Sequence, residues 1–193
     1  MKVWNATALI TEVNAFWFGE PESPEFGHLR EAWFRKDTDF DQQIHDRFGD
    51  AIDAAGRGDL QDMAETPLGT LALLVLLDQF TRNTERGTGR MYANDEYAIQ
   101  IADAAILKGF DLKVNAAMRQ FFYMPYEHSE NLGRQNCSVA LFEALGNPEA
   151  LKWAVQHRDI IVRFGRFPHR NAHLNRPNTA EEEDFLKQAG SSF

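Results

Sequence analysis

The chain has 193 residues, of which 44% are hydrophobic and 25% are charged, and its formal net charge is −9. This length predicts one domain with a sizeable core, and the acidic balance argues against nucleic-acid binding, which needs a basic surface. The single cysteine, Cys137, excludes an intramolecular disulfide and a cysteine-rich zinc site, and it fits a reducing compartment.

The N-terminus does not have the pattern of a secretory signal peptide. Asn5, Glu12 and Asn14 interrupt any apolar stretch that such a signal needs. The most apolar run, at residues 68–77, is about half as long as a membrane-spanning helix. We therefore expect a cytoplasmic protein that does not contact a membrane.

Hydrophobic periodicity predicts helices along nearly the whole chain. Their starts are marked by Thr66 before Pro67, by Asn147 before Pro148, and by a capping box that begins at Thr179. The predicted fold class is all-α, with one domain of antiparallel helix hairpins over residues 1–193 and a C-terminal helix and tail at 178–193. The helices are expected at about 5–17, 38–48, 67–82, 94–108, 112–129, 132–145, 148–164 and 179–188.

The helix predicted at 67–82 is apolar on all sides until it reaches Asp78. Asp78 stands four residues after Leu74 on the buried stripe, and Arg82 stands four residues after Asp78. The pair is either a structural ion pair that closes the helix end or a carboxylate that arginine holds at the wall of a pocket. Asn83 follows directly and is a further polar group at this end.

The helix predicted at 148–164 directs two polar side chains inward. His157 and Arg158 lie away from its solvent-facing stripe, on a largely apolar half. A buried arginine needs a carboxylate, a set of carbonyls or a bound anion as its partner. A histidine on an apolar face is more often a hydrogen-bonded core residue than a ligand.

Pro125 has no N–H to donate and therefore predicts a kink or a helix end. A second set of polar side chains follows it. His128 and Glu130 come directly after it, and their position beside a kink favours a site. Glu130 and Arg134 are also four residues apart, so a local ion pair is the alternative. Gln135 lies on an apolar stripe and is one more inward polar group.

The segment from His157 to Arg176 has five arginines and three of the six histidines of the chain, against one carboxylate, Asp159. Such a basic segment in an acidic chain predicts a bound anion, either a ligand or the protein's own carboxylates. Because polar residues that break the helical pattern concentrate at functional sites, we expect a shared polar pocket. The candidate catalytic residues are Asp78, Glu130 and His157, and the candidate ligand-binding residues are Arg82, Asn83, His128, Gln135, Arg158, His169, Arg170 and Asn171.

Other chemistries have weaker support. No His-Glu-x-x-His or comparable spacing exists, so we expect no metal and no cofactor. Cys137 lies in an aliphatic helix, where a lone cysteine is usually a small buried hydrophobe. The loop Gly87-Thr88-Gly89 lacks the Lys-Ser/Thr ending of a phosphate-binding loop and favours a turn.

Three strings also carry a family resemblance: Asp78-Gln79-Phe80-Thr81-Arg82-Asn83, residues 121–130, and Arg163-Phe164-Gly165-Arg166-Phe167-Pro168-His169-Arg170-Asn171. They resemble a bacterial family known as domain of unknown function 924, and the similarity extends over nearly the whole chain. The resemblance implies an all-helical fold of the tetratricopeptide-like superfamily and brings no established activity. Thr81 stands where the family pattern has proline.

Two functional hypotheses follow. In the first, the polar pocket binds a small anionic metabolite and acts on it by acid–base chemistry, so that Arg158→Ala abolishes ligand binding. In the second, the chain is a helical-repeat module that binds a peptide or protein in a groove lined by Asn, Arg and aromatic residues, without catalysis. A third reading is that the polar cluster only locks the helices together.

Overall fold

The computed structural model describes residues 3–192, so Met1, Lys2 and the last residue of the predicted tail, Phe193, lie outside it. Within that range the regular structure is helical and no strand occurs, which confirms the predicted all-α class. The α-helices are α1 (Ala6–Phe18), α2 (Thr38–Gly56), α3 (Pro67–Leu74), α4 (Thr81–Thr84), α5 (Asp95–Leu107), α6 (Ala116–Glu127), α7 (Leu132–Leu145), α8 (Pro148–Phe164) and α9 (Ala180–Leu186).

A π-helical stretch, Val75–Phe80, joins α3 to α4 in one continuous helical segment. Every residue from 69 to 80 is buried, so this segment forms the centre of the core, as its all-round apolar sequence predicts. Short 3₁₀ turns complete the helical structure at Glu31–Trp33, Gln61–Glu65, Gly89–Tyr92, Asp111–Lys113 and Pro168–Arg170.

Consecutive helices from α5 to α8 pack against one another, as expected for helix hairpins joined by short loops. The placement in the tetratricopeptide-like superfamily stays a prediction. None of the helices in residues 3–192 has both the length and the apolar surface that crossing a bilayer requires.

Aromatic rings connect the central segment to the helices around it. The ring of Phe80 lies 5.4 Å from that of Trp17 on α1 and 4.9 Å from that of Phe48 on α2. Trp17 in turn lies 6.0 Å from Phe121 on α6. Edge-to-face and tilted contacts of this kind add to the area term of burial, so these rings hold the central segment in a fixed position.

The helix boundaries differ from the prediction at one main place. The predicted end of α2 near Phe48 was wrong, because the helix continues through Gly49 to Gly56. Ala51, Ile52 and Ala55 extend its buried stripe for two further turns. Burial of this stripe outweighs the unfavourable helix propensity of one glycine, which is about 1 kcal/mol.

The C-terminal helix α9 packs against the end of α8 and the segment that follows it. The side chain of Glu182 accepts hydrogen bonds from Arg166 Nε at 2.6 Å and from the Thr179 N–H at 2.7 Å. Thr179 Oγ1 accepts from the Glu182 N–H at 3.2 Å, which confirms the predicted capping box. These bonds lower the pKa of Glu182 to about 2, and the Arg166 bond is the largest cause.

Glu182→Ala removes both the partner of Arg166 and one half of the capping box. We expect a loss of about 1–3 kcal/mol in the free energy of unfolding, measured by urea titration, and faster amide exchange in α9. Glu183→Ala is the matched control, because Glu183 is exposed and its loss is expected to change stability by less than about 0.5 kcal/mol. Equal stabilities of the two variants would contradict this account of α9.

Candidate functional site

Asp78 lies in the π-helical stretch, and only 2% of its surface is exposed. π-helical turns are rare in proteins overall. Those that do occur are often found at functional sites. Thr81 supports the end of this stretch, since its Oγ1 donates to the carbonyl of Leu76 at 3.1 Å and accepts from Asn94 at 3.2 Å. A proline at this position could make neither bond, because it has no hydroxyl.

Three side chains bind the buried carboxylate of Asp78. His128 Nδ1 lies 2.7 Å from Oδ1, Arg82 Nη1 lies 2.9 Å from the same oxygen, and the amide of Gln79 donates to Oδ2. The predicted Asp78–Arg82 pair is therefore confirmed. Burial opposes ionisation of Asp78, but Arg82 and His128 outweigh it and hold the pKa of the carboxyl well below its usual range.

His128 is the C-cap residue of α6, and its ring is hydrogen-bonded to Asp78. Burial lowers the pKa of its imidazole, and the nearby charge of Arg82 lowers it further against the attraction of Asp78. The ring is therefore neutral at pH 7. Because an ionised carboxylate only accepts hydrogen bonds, Nδ1 carries the proton and Nε2 keeps its lone pair.

Asp95, the first residue of α5, links Arg82 to the segment after α8. Its carboxylate accepts from Arg82 Nη2 at 2.9 Å and from Arg170 Nη1 at 3.1 Å. Arg170 Nη2 donates to the carbonyl of His128 at 2.8 Å. Two carboxylates, two guanidinium groups and one imidazole thus form one continuous bonded cluster.

A cleft of about 300 Å³ opens beside this cluster. The Arg170 guanidinium forms part of its wall and lies over two rings, with its Cζ 4.4 Å from the centroid of Tyr92 and 4.5 Å from that of Phe167. Within residues 3–192 the buried Nε atoms of Arg170 and Arg176 have no hydrogen-bond acceptor. The cleft is lined by Gly89, Tyr92, Ala93, Asp95, Glu96, Ile99, His128, Ser129, Glu130, Arg170 and Leu174.

Glu130 lines the cleft, but its partner is different from the predicted alternative. Its carboxylate accepts two bonds from Arg176, at 2.7 and 2.9 Å, and one from the Phe167 N–H at 2.8 Å. Arg134 instead lies 3.4 Å from Asp103. Of the two possibilities for Glu130, the local pair with Arg134 is not formed, because the segment after α8 brings a bidentate arginine to Glu130.

The basic segment is neutralised by the protein itself. Each of its five arginines pairs with a carboxylate: Arg158 with Asp159, Arg163 with Glu181, Arg166 with Glu182, Arg170 with Asp95, and Arg176 with Glu130. Of the two sources of anion that the sequence leaves open, the structure shows the protein's own carboxylates.

The prediction that Arg158 points inward was wrong. Its side chain is 30% exposed, and its guanidinium binds the neighbouring Asp159 at 2.7 Å. Arg158 lies at the edge of the buried face of α8, and Val162, one turn further along, is 61% exposed. His157 is buried as predicted, and its ring lies 6.3 Å from the ring of His128.

The remaining predicted residues lie around the cluster or away from it. Gln135 is buried behind it, and its Nε2 donates to the carbonyls of Glu127 and Ser129, both at 2.7 Å. The ring of His169 lies 5.5 Å from Phe167, and burial lowers its pKa to about 4. Two predicted residues bond elsewhere: Asn83 donates to Asp41, and Asn171 donates to Asn178.

Four residues of the site were not predicted from the sequence: Glu127, Asp95, Tyr92 and Arg176. Glu127 is the most unusual of them, because its carboxyl is buried and burial, together with the charge of Asp78, raises its pKa to about 8. The sequence does contain a signal for it, since a glutamate that directly follows the apolar and aromatic run at 121–126 breaks the expected pattern. The other three are brought in by long-range contacts, which have no local signal.

Two minor expectations have different outcomes. Cys137 is exposed, so the expectation of a buried hydrophobe was wrong. Gly87 has a φ of +78°, which favours glycine, and its loop makes the turn that the sequence indicates. Among residues 3–192 no group of three or more His, Cys, Asp or Glu side chains has the spacing of a metal site.

The pH dependence of stability tests the protonation state of Glu127. In the folded state its pKa is about 8, above the ordinary value of 4.5, so folding retains a proton that the unfolded chain releases. The wild type therefore loses stability relative to Glu127→Gln as pH rises from 4.5 to 8. At about 1.4 kcal/mol per pKa unit, the difference reaches a few kcal/mol at pH 8, measured by urea unfolding. Glu143→Gln, an exposed control, should show no such trend.

Comparison with known proteins places the chain in a family. The family described as "Bacterial protein of unknown function (DUF924)" matches residues 13–190. The solved structure of a protein of unknown function from Agrobacterium tumefaciens is 43% identical, with a TM-score of 0.86, and the match covers 95% of this chain and 99% of that one. No curated protein matches. The chain belongs to the DUF924 family.

Proposed function

We propose that the cleft beside His128 binds a small anionic metabolite and that His128 moves a proton on it. The observation that carries the proposal is the Asp78–His128 bond of 2.7 Å at the border of the cleft. A carboxylate that fixes one ring nitrogen leaves the other free for proton transfer, which is how many enzymes orient a general base.

The electrostatics of the cluster support this role. A general base must be neutral near the operating pH, and burial together with Arg82 lowers the pKa of His128. Asp78 remains ionised beside it, because Arg82 and His128 hold the pKa of its carboxyl down. Groups whose environments push their pKa values apart are typical of acid–base sites.

The ligand chemistry is inferred from Arg170 rather than from Arg158. Asp95 balances the charge of Arg170, so the cleft does not attract anions by net charge. Arg170 nevertheless lines the cleft, and it is the one arginine or lysine among the described residues of its wall. A guanidinium in a cleft wall recognises a carboxylate or phosphate oxygen on a small metabolite, and Tyr92 stacks beside Arg170 here.

The interaction module remains the second candidate. A groove of about 580 Å³ along α1 contains the Asn, Arg and aromatic types that this hypothesis predicts, in Asn5, Arg47 and Phe16. Arg47, however, already pairs with Glu12 at 3.1 Å and lies over the Phe16 ring at 4.7 Å. We favour the cleft because it alone of the two borders a buried bonded pair of titratable groups. A cytoplasmic location is part of the proposal and is supported by the single cysteine.

Deuterium exchange tests the proposal across many candidate substrates at once. Wild-type protein is incubated in D₂O with pools of small carboxylates and phosphate esters, and loss of ligand ¹H signals is followed by NMR. We expect exchange into at least one ligand, and a fall of about 10²-fold or more in His128→Gln, because a positioned base contributes that much. Binding of the same ligand should persist in the variant.

Arg158→Ala is the matched control, because its surface pair lies outside the cleft, and it should exchange like the wild type. Exchange that is equally fast in His128→Gln would contradict the proposal. Failure of every pool to bind the wild type would also count against it and would favour the interaction module.

A further inference from the structure

Glu127 immediately precedes His128 and lies close enough to Asp78 for the charge of that carboxylate to act on it. It is the last residue of α6, and only 5% of its surface is exposed. The C-terminal end of a helix carries partial negative charge from its unsatisfied carbonyls, so this position disfavours a carboxylate. Burial and the helix end therefore act in the same direction on Glu127.

The charged groups on the neighbouring elements do not compensate an ionised Glu127. The π-helical stretch presents the Asp78 carboxylate, and α7 presents the uncharged Gln135, which binds the backbone carbonyl of Glu127. On α5 and in the turn before α6, Asp103 and Asp111 bond to tyrosines of α6. Within residues 3–192 no lysine or arginine pairs with the Glu127 carboxyl.

The remaining neighbour is His157 on α8. Its Nδ1 lies 3.2 Å from Glu127 Oε1 and 2.9 Å from the carbonyl of Trp153. A carbonyl only accepts hydrogen bonds, so Nδ1 carries a proton in the neutral ring. Burial lowers the pKa of His157 to about 3, and the ring is therefore uncharged at pH 7 and supplies no positive charge to Glu127.

We propose that Glu127 is a positioning residue for His128: as a buried neutral carboxylic acid next to His128 at the end of α6, it leaves the charge on Asp78 and keeps the imidazole in its proton-accepting form. An ionised Glu127 would face the Asp78 carboxylate with like charge, and the two anions together would favour a protonated imidazole. Nε2 would then lose its lone pair. The pKa of Glu127, raised to about 8, agrees with this geometry.

The role of Glu127 rests on the proposed function of His128, but its effect on the protonation of His128 can be tested without any ligand. NMR titration of protein labelled with ¹³C at glutamate and ¹⁵N at histidine needs no ligand. In the wild type we expect the Glu127 carboxyl to titrate near pH 8 and both His128 nitrogens to show an inflection at the same pH. Glu127→Gln mimics the neutral acid, so it should keep the Nδ1–H form of His128 and remove the inflection.

Glu130→Gln is the matched control, because Glu130 pairs with Arg176 and its pKa is lowered rather than raised. The inflection near pH 8 should survive in that variant. The proposal is overturned if Glu127 titrates near its ordinary value, or if the His128 inflection persists in Glu127→Gln. If Glu127 had only a structural role, the His128 nitrogens of the wild type would show no inflection near pH 8. Since deuterium exchange tests His128 separately, the failure of one proposal can be told from the failure of the other.

Discussion

The buried negative charge of Asp78 is the constraint on which the site depends. An isolated carboxylate in a protein interior costs several kcal/mol, so it persists only where several partners converge on it. Those partners come from separate parts of the chain: Arg82 from the next helical turn and His128 from the end of α6. The π-helical stretch places the carboxylate where all of them reach it.

The pairing continues outward from Asp78. Arg82 also binds Asp95, and Asp95 binds Arg170, so that α4, α5 and the turn after α8 are joined by charge-assisted bonds. Arg170 completes the circuit by holding the carbonyl of His128. Removing any one member leaves a buried charge without its partner, which is the strongly destabilising case for such networks. The cluster therefore has a structural function as well as the catalytic one we propose.

The sequence is also compatible with a polar cluster that only locks the helices together. The stabilising bonds of the cluster support that possibility in part. What distinguishes a site from a lock is the cleft and the neutral groups beside it. His128 borders the cleft, and burial together with the charge of Asp78 raises the pKa of Glu127 to about 8. A lock needs neither of these features.

The sequence predicts the parts of this arrangement that depend on local spacing. The Asp78–Arg82 pair follows from four-residue spacing on a helix, and the capping box at Thr179 follows from its own short motif. The prediction that Arg158 is buried was wrong. His157 and Arg158 are adjacent on α8 and lie on neighbouring faces of the helix, and only the packing of other helices decides which face is buried. The pairing of Asp95 with Arg170 could not be predicted from the sequence, since the two residues are 75 positions apart and no local pattern links them.

The tautomer of His128 tests the central claim most directly. Long-range ¹H–¹⁵N NMR at pH 7 distinguishes a protonated ring nitrogen from one that carries a lone pair. We predict a neutral ring with the proton on Nδ1, bonded to Asp78, and a lone pair on Nε2 of this cleft-lining residue. A proton on Nε2, or a doubly protonated ring at pH 7, would contradict the assignment of His128 as a general base.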